Sequence, residues 1–427
     1  MFINIKNTGK ISSANIEIKG ITVIAGANNT GKSTVGKMLF CLFNSFYKIE
    51  QQIEGERVSR IANIIRSFYH ETTNRLTARF DPFEFAETII NKKSENAKQK
   101  DLENDIRNLY FQADESFEKH VNETLLSSVA EKTMQVISIS NEDIIEAVLR
   151  RRLQAEFNMQ INNIHNSALH SEIRLRIKNR EVKVSVIKNE NIEITNSFSF
   201  NTEVIYMDDP FALDGSALLR YFPSNHRDHL KSKLLIDYEE STVKGVIDEI
   251  ITSKKLENVL VELNKVCKGE LIRETRSLSP AISYKEGDSE TALDIKNIST
   301  GIKTFAIVKT LLLNGSLEEN GTLVLDEPEI HLHPEWQLVF ARLIVLLNKE
   351  FGMHILLNTH SPYFLDAIDV YSRFYGVFSE CKYYLAEDVD GLASMTDVTS
   401  NIELIYDKLS KPFQLLENER YPNDGFR

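Results

Sequence analysis

An apolar run, Ile21 to Ala25, passes straight into Gly26-Ala27-Asn28-Asn29-Thr30-Gly31-Lys32-Ser33-Thr34. Beyond it Val35, Met38, Leu39, Leu42 and Phe43 recur at helical spacing. A buried strand that enters a helix through a glycine-bracketed loop places the chain among α/β folds. Backbone N–H groups of such a loop and of the helix N-terminus point at one spot, a cradle for phosphate oxygens. Lys32 adds a positive charge there, and the Ser33 hydroxyl is a ligand for Mg²⁺. Ahead of the loop, Phe2 to Ile5 and Ile16 to Ile18 are expected as short strands around a turn at Asn7 to Lys10.

A site of this kind needs carboxylates, and Gly321 to Gln337 supplies them. Leu323, Val324 and Leu325 form a short apolar run, bounded by Gly321 and Pro328, that ends on Asp326 and Glu327. Carboxylates at the carboxyl end of a buried parallel strand sit where open α/β sheets bind ligands. A helix over Glu335 to Asn348 and a second buried strand from His354 follow, ending in Asn358-Thr359-His360-Ser361-Pro362. A histidine at that strand end either meets a phosphate or serves the turn. Upstream, Ile298 to Thr304 places Ser299, Thr300 and Gly301 before an apolar helix, Phe305 to Leu313. That pattern is either an anion site or ordinary helix capping. His331 and His333 are two residues apart, without a third metal ligand nearby in sequence.

Between the two halves of the site lie about 290 residues. Apolar positions at helical spacing (Ile53 to Phe68, Leu102 to Tyr110, Ile144 to Leu153) predict helices from about 45 to 167, with a polar loop over Asn91 to Asp101. No sustained heptad is present, so a compact helical insertion is expected rather than a coiled-coil arm. Ile173, Leu175 and Ile177 then alternate with Arg174, Arg176 and Lys178. The basic face is either a contact for phosphates or an acidic partner, or a solvated outer face. Glu203 to Pro210 reads as another apolar strand ending in carboxylates, a candidate core strand of the nucleotide domain, and Asp208 or Asp209 could then reach a metal through water. His226 and His229 mark either a metal site or a capped helix start on the surface. Helix is expected over 237–267, and strands at Leu271 to Arg273, Ala281 to Tyr284 and Ala292 to Ile295. The domain boundaries read from these shifts are 1–44, 45–170, 171–267 and 268–427.

The net charge of −12 does not favour nucleic acid in bulk, so any such contact requires a local basic patch. Three scattered cysteines, Cys41, Cys267 and Cys381, match no zinc or redox spacing and suit a reducing compartment. The opening residues lack a signal-peptide core, and the most apolar tract, Leu338 to Leu347, is too short for a membrane span. A cytoplasmic protein with no membrane partner is expected.

In order, GANNTGKS, ISTGIKT, LVLDEPEIHLHP and LLNTHSP resemble the ABC-type ATPases related to structural-maintenance-of-chromosomes (SMC) heads and RecF. More narrowly, DEPEIHLHP followed by THSP resembles the overcoming-lysogenization-defect (OLD) group and the Septu and retron-associated ATPases of anti-phage systems. The motifs cover residues 20–35 and 297–362. The resemblance implies an ABC-type head, a mixed sheet with flanking helices, carrying a large helical insertion between its phosphate loop and signature motif. It implies ATP and Mg²⁺ as cofactors. Gly26, Asn28, Asn29, Thr30, Gly31, Lys32, Ser33 and Thr34 would hold the phosphates. Ser33 and Asp326 would hold the metal, Glu327 would activate water, and His360 would be the switch histidine. Ser299 and Gly301 would meet ATP bound to a second subunit, with His331 in the loop packed across that interface. A homodimer or higher oligomer around two ATP molecules follows from this.

Departures accompany the resemblance. Asn29 stands where related loops often carry glycine, and asparagine tolerates positive φ. Ser299 to Lys303 keeps the signature serine and one glycine but lacks a glutamine, and no Q-loop glutamine is assignable. OLD nucleases carry a Toprim domain after the switch histidine, and only 67 residues follow His360. Glu387, Asp388 and Asp390 fit a hairpin turn between Lys382–Leu385 and Ser394–Val398, before a terminal helix from Ile402 to Glu419. Nuclease activity is therefore not expected in this chain. The implied role is the sensor or regulatory ATPase of an anti-phage system, with a separately encoded effector, a nuclease, and a DNA or phage-derived trigger. A RecF-like or SMC-like DNA-repair ATPase is the alternative, and a transporter subunit is disfavoured by the missing signature glutamine.

Overall fold

A computed structural model describes residues 1–72, 81–92, 99–113, 122–166, 168–214, 224–236, 246–274, 281–287, 289 and 291–420. Strands β1 (Phe2–Thr8), β2 (Ile11–Glu17) and β3 (Ile21–Gly26) lead into helix α1 (Lys32–Phe46). Helices α2 (Ile49–Thr72), α3 (Pro82–Lys92), α4 (Gln99–Ala113), α5 (Glu123–Ser138) and α6 (Asn141–Phe157) follow. Next come β4 (Ser171–Ile177), β5 (Arg180–Ile187), β6 (Asn191–Thr195) and β7 (Val204–Met207), then α7 (His226–Leu234) and α8 (Val246–Leu263). Strands β8 (Glu270–Glu274), β9 (Ala281–Lys285) and β10 (Leu293–Asp294) precede α9 (Thr300–Leu313). The chain closes with β11 (Thr322–Asp326), α10 (Pro334–Phe351), β12 (His354–Thr359), α11 (Pro362–Phe374), β13 (Lys382–Val389), β14 (Leu392–Asp397) and α12 (Glu403–Arg420). These elements form two compact units, Met1–Ser45 with Leu149–Arg427, and Phe46–Val148. Residues 171–267, expected as a link, lie within the first.

In the first unit an 11-stranded mixed sheet runs β6-β5-β4-β1-β2-β14-β13-β3-β12-β11-β7, the α/β sheet with flanking helices that was expected. Strands β13, β3, β12, β11 and β7 are mutually parallel. Every residue of β3 and β7 is buried, as are all but one of β11 and β12, because helices cover both faces of such a block. By contrast β4 and β5 alternate, with Ile173, Leu175, Val182, Val184 and Val186 inward. Their basic side chains are interleaved with acids: Arg174 lies 3.5 Å from Glu172, and Lys183 lies 3.5 Å from Glu181. Arg176 lies over the Phe2 ring. Charges neutralised this way favour the solvated-face reading.

Glycines admit two of the closest approaches. A Cβ on Gly26 would sit 2.3 Å from the Ala386 carbonyl oxygen, so only glycine lets β13 lie against that strand end. A Cβ on Gly36 would sit 2.8 Å from both Tyr206 Cε2 and Val324 Cγ1. Its absence lets α1 lie directly on β7 and β11. The acids of the terminal hairpin belong to the turn. Asp388 Oδ1 accepts from the Gly391 N–H at 2.8 Å, and Glu387 pairs with Lys408 at 2.7 Å.

In the second unit, α2 to α5 enclose their own core. Ile61, Ile65, Phe68 and Tyr69 pack with Ile89, Ile106, Tyr110, Leu126 and Val129. The Tyr110 hydroxyl donates to the Ile65 carbonyl at 2.6 Å. Of the loop expected at Asn91 to Asp101, residues 93–98 lie outside the described residues, and the flanking residues are helical.

His226 and His229 do not meet on a common ligand. Asn225 caps α7 by accepting from the Asp228 N–H at 2.8 Å, which is the capped start, but both histidines are buried and not on the surface, because each meets a carboxylate. His226 Nδ1 lies 2.7 Å from Glu156 of α6, and its Nε2 lies 3.0 Å from Asp208 at the end of β7. His229 Nε2 lies 2.9 Å from Glu203. Among the described residues no group of three or more His, Cys, Asp or Glu side chains is arranged to hold a metal. Burial opposes the His226 charge, but hydrogen bonds to Asp208 and Glu156 outweigh it and raise its pKa to about 9. Burial likewise opposes the Asp208 charge, yet bonds from His226 and Arg227 lower its pKa to about 2.

For a histidine raised from 6.5 to about 9 in the fold, stabilisation is complete below 6.5 and is lost as pH climbs to about 9. The folded protein should therefore lose thermal stability across that window, by at most about 3 kcal/mol at roughly 1.4 kcal/mol per pKa unit. In His226→Gln the same series of melting curves should be nearly flat over that range. A variant as pH-dependent as the parent would exclude His226 as the source.

Candidate functional site

Strand β3 ends at Gly26, α1 begins at Lys32, and the loop between them closes on itself. Asn29 and Gly31 both adopt left-handed φ, 66° and 78°. Asparagine is among the few non-glycine residues that accept this, so the loop forms without glycine at 29. The Thr30 hydroxyl donates to the Ala27 carbonyl at 2.8 Å, and the Thr34 N–H donates to the Gly31 carbonyl at 3.1 Å. Lys32 is 4% exposed. Its ammonium donates to the carbonyls of Gly26 (3.0 Å) and Ala27 (2.8 Å) and lies 3.5 Å from Glu327 Oε1. Residues 28–34 form one wall of a cleft of about 520 Å³. Asp208, Asp209, Arg227, Asp326, Glu327 and His331 line the other side.

The carboxylates are aimed by the strands beneath them. Parallel pairing sets Asp326 of β11 beside Asn358 of β12. The Asn358 amide donates to Asp326 Oδ1 at 2.9 Å, and the Tyr206 hydroxyl donates to Oδ2 at 2.8 Å. Glu327 then turns the chain with φ of 50°, a conformation costing roughly 1–3 kcal/mol in a non-glycine residue. Its N–H donates to the Asn358 carbonyl at 2.9 Å. That turn brings its side chain into the cleft, with Oε1 3.2 Å from His360 Nδ1. Lys32, Glu327 and His360, from three separate stretches of chain, thus meet.

Ser33 and Asp326 face the same cleft. Each Asp326 oxygen accepts one described hydrogen bond, which leaves it further lone-pair capacity. A hydroxyl and a carboxylate are hard oxygen donors of the kind Mg²⁺ takes together with phosphate, so these residues fit that ion.

Gly301 lies close to the backbone of His331, and Ser299 caps the helix that carries Gly301. Ser299 is exposed and caps α9, its Oγ accepting from the Ile302 N–H at 3.4 Å. The helix therefore starts at Thr300, not at Phe305 as expected, because the cap outweighs a glycine in the first turn. A Cβ on Gly301 would sit 2.8 Å from Trp336 and 3.3 Å from the His331 carbonyl oxygen. His331 lies edge-on to Phe211, with ring centres 5.6 Å apart. Ser299 and Gly301 do not line the cleft. His333 is exposed at the N-cap of α10 and makes no side-chain cap bond.

Among the residues of the site not singled out from sequence are Tyr206, Arg227, Asn358 and Glu329. Glu329 is 3% exposed and accepts a hydrogen bond from the Thr359 hydroxyl. Burial raises its pKa above the usual 4.5, the Thr359 bond opposing. It braces the loop after Glu327 against the end of β12. The available signals were a polar Asn358 inside an apolar strand and the second acid of Glu327-Pro328-Glu329.

Residues 1–365 match the family model described as an AAA ATPase domain. The OLD nuclease of Thermus scotoductus is 33% identical over 86 residues, 20% of this chain and 16% of that nuclease. The chain therefore aligns with about a sixth of the length of that relative. An Smc head bound to the C-winged helix domain of ScpA aligns with 94% of this chain and 98% of its own, at 12% identity and a TM-score of 0.43. The SMC head domain from Thermotoga maritima aligns with 93% and 98%, at 10% identity and a TM-score of 0.38. Both structural likenesses are loose. With a match that runs from the first strand past the turn carrying His360, the chain belongs to the AAA ATPase domain family.

Proposed function

We propose that this chain binds ATP in the cleft above β3 and β11 and hydrolyses it there. The observation that carries the reading is Glu327 Oε1 lying 3.5 Å from the Lys32 ammonium and 3.2 Å from His360 Nδ1, beside the phosphate loop. Loop N–H groups and Lys32 hold the β- and γ-phosphates. Ser33 and Asp326 hold Mg²⁺, which when bound neutralises charge on the phosphate oxygens. Glu327 takes a proton from the attacking water, whose oxygen bonds to the γ-phosphorus as the bond to ADP breaks. His360, beside Glu327, donates a hydrogen bond to the γ-phosphate and loses that partner on hydrolysis.

Two subunits complete the site. Ser299 is exposed, caps a helix N-terminus suited to an anion, and is not among the residues lining its own cleft. We assign it, with Gly301, to the γ-phosphate of ATP held by a second copy, and His331 to the seam between the copies. The wider role that fits best is the sensor or regulatory ATPase of an anti-phage system with a separate effector, a nuclease. Supporting it are the DEPEIHLHP and THSP sequences and the stretch shared with the OLD nuclease. Glu387, Asp388 and Asp390 carry no nuclease role in this reading, two of them being engaged with Lys408 and Lys10. Affinity purification from the native host, with mass spectrometry, tests it. Recovery of DNA-repair proteins without a nuclease would favour the RecF-like alternative.

Glu327→Gln should retain ATP binding and slow hydrolysis by roughly 10²–10⁴; a normal turnover rate would remove Glu327 from the chemistry. Lys32→Ala should weaken ATP binding itself, measured by calorimetry, and unchanged affinity would overturn the phosphate-loop assignment. For Ser299→Arg, one subunit should still bind ATP while ATP-dependent association, followed by light scattering, is lost. Association at the parental level would place the second-subunit contact elsewhere.

A further inference from the structure

We propose that Tyr206 is a positioning residue of the metal site, whose hydroxyl holds the Asp326 carboxylate in the orientation that meets Mg²⁺ beside the phosphates. The inference rests on the proposed nucleotide site and adds to it a group outside the motifs.

Tyr206 lies on β7, in register opposite Val324 of β11, so its side chain and Asp326 are neighbours across one parallel pair. The side chain is fully buried, and its hydroxyl lies 2.8 Å from Asp326 Oδ2. Buried phenols require a partner, and here the partner is the carboxylate assigned to the metal.

The ring is confined on several sides. Phe40 of α1 meets it edge-on with centres 6.5 Å apart, and His226 lies against it at 4.5 Å. Gly36 passes over it so closely that a Cβ there would lie 2.8 Å from Tyr206 Cε2. Because α1 begins at Lys32 and carries Ser33 in its first turn, one helix both supplies the Ser33 hydroxyl and confines the tyrosine that aims Asp326. On the other oxygen Asn358 donates at 2.9 Å. Two neutral donors thus fix the carboxylate without neutralising it. Partners of this kind orient metal ligands, and losing one typically lowers metal affinity about 10–100-fold.

A tyrosine that merely filled the core would affect stability and leave the metal dependence alone. Tyr206→Phe separates the two. The full-length protein is titrated with Mg²⁺ at fixed ATP, with the Glu327→Gln background preventing turnover, and nucleotide binding is read by calorimetry. A parallel set in EDTA reports binding without metal, and melting curves report folding. Tyr206→Phe should need about 10-fold more Mg²⁺ for half-maximal tightening, while its affinity in EDTA stays within about two-fold of the background. An unchanged Mg²⁺ midpoint in a folded protein overturns the proposal. Should Tyr206→Phe not fold, 3-fluorotyrosine placed at position 206 keeps the ring and hydroxyl, and its fluorine signal reads that group directly. A signal that moves with the Mg²⁺ midpoint of ATP binding supports the role, and one indifferent to Mg²⁺ overturns it. If the parent itself shows no Mg²⁺-dependent ATP binding, the nucleotide-site reading fails, and that result is distinct from a difference between parent and variant.

Discussion

Asn358 stands near the carboxyl end of β12 with its amide donating to Asp326 and its backbone carbonyl accepting from the Glu327 N–H. One residue thereby sets both members of an adjacent carboxylate pair, and it does so only because β12 and β11 are parallel and in register. Shift that register by one and the asparagine side chain points to the opposite face of the sheet. The left-handed turn at Glu327 depends on the same bond, since an isolated residue would not hold φ of 50°. Glu329, bonded to Thr359 two residues beyond its start, closes the turn from the other side. The strain is local, and the bonds that over-determine it come from the neighbouring strand.

What the sequence discloses and what it hides divide along contact range. Loop 26–34 is readable because strand, glycines, lysine and helix are contiguous, so local chemistry implies the local shape. Asp326 and Glu327 are readable for the same reason, as polar residues at the end of an apolar run. Tyr206, Asn358 and Gly36 are not. Their roles exist only once β7, β11 and β12 are known to be neighbours, and that order crosses the chain from residue 204 to 359 and back. Periodicity identifies β7 as a buried strand without saying which carboxylate its tyrosine will face. The start of α9 illustrates a smaller miss. Glycine at 301 argued for a loop there, while a single hydroxyl at Ser299 was enough to begin the helix.

The insertion shows a different balance. Helical spacing was visible throughout α2, α4 and α6, and the helices are there. Which faces meet was not visible, because spacing defines a stripe and not its partner. In the second unit the partner is chosen by large aromatic groups. Tyr69 stacks on Tyr110, and Phe68 and Phe85 meet the same ring edge-on. One tyrosine with a bonded hydroxyl thus joins three helices, a specificity that aliphatic stripes alone do not supply. His226 acts similarly in the first unit, where a charged ring between Glu156 and Asp208 ties α6 and α7 to the end of β7.

The contrast between Asp326 and Glu327 explains how two adjacent carboxylates can take different work. Asp326 is held by a tyrosine hydroxyl and an asparagine amide, neutral donors from buried strands that leave its charge intact and its direction set. Such an anion suits a metal. Glu327 instead faces Lys32 and His360, and its side chain is 23% exposed. Both of those partners have other bonds to make. A phosphate entering the cleft competes for the Lys32 ammonium with Glu327 and with two loop carbonyls. The pair is therefore asymmetric before any ligand arrives. One carboxylate is fixed by the sheet, and the other is held by the loop lysine and a histidine at the end of β12.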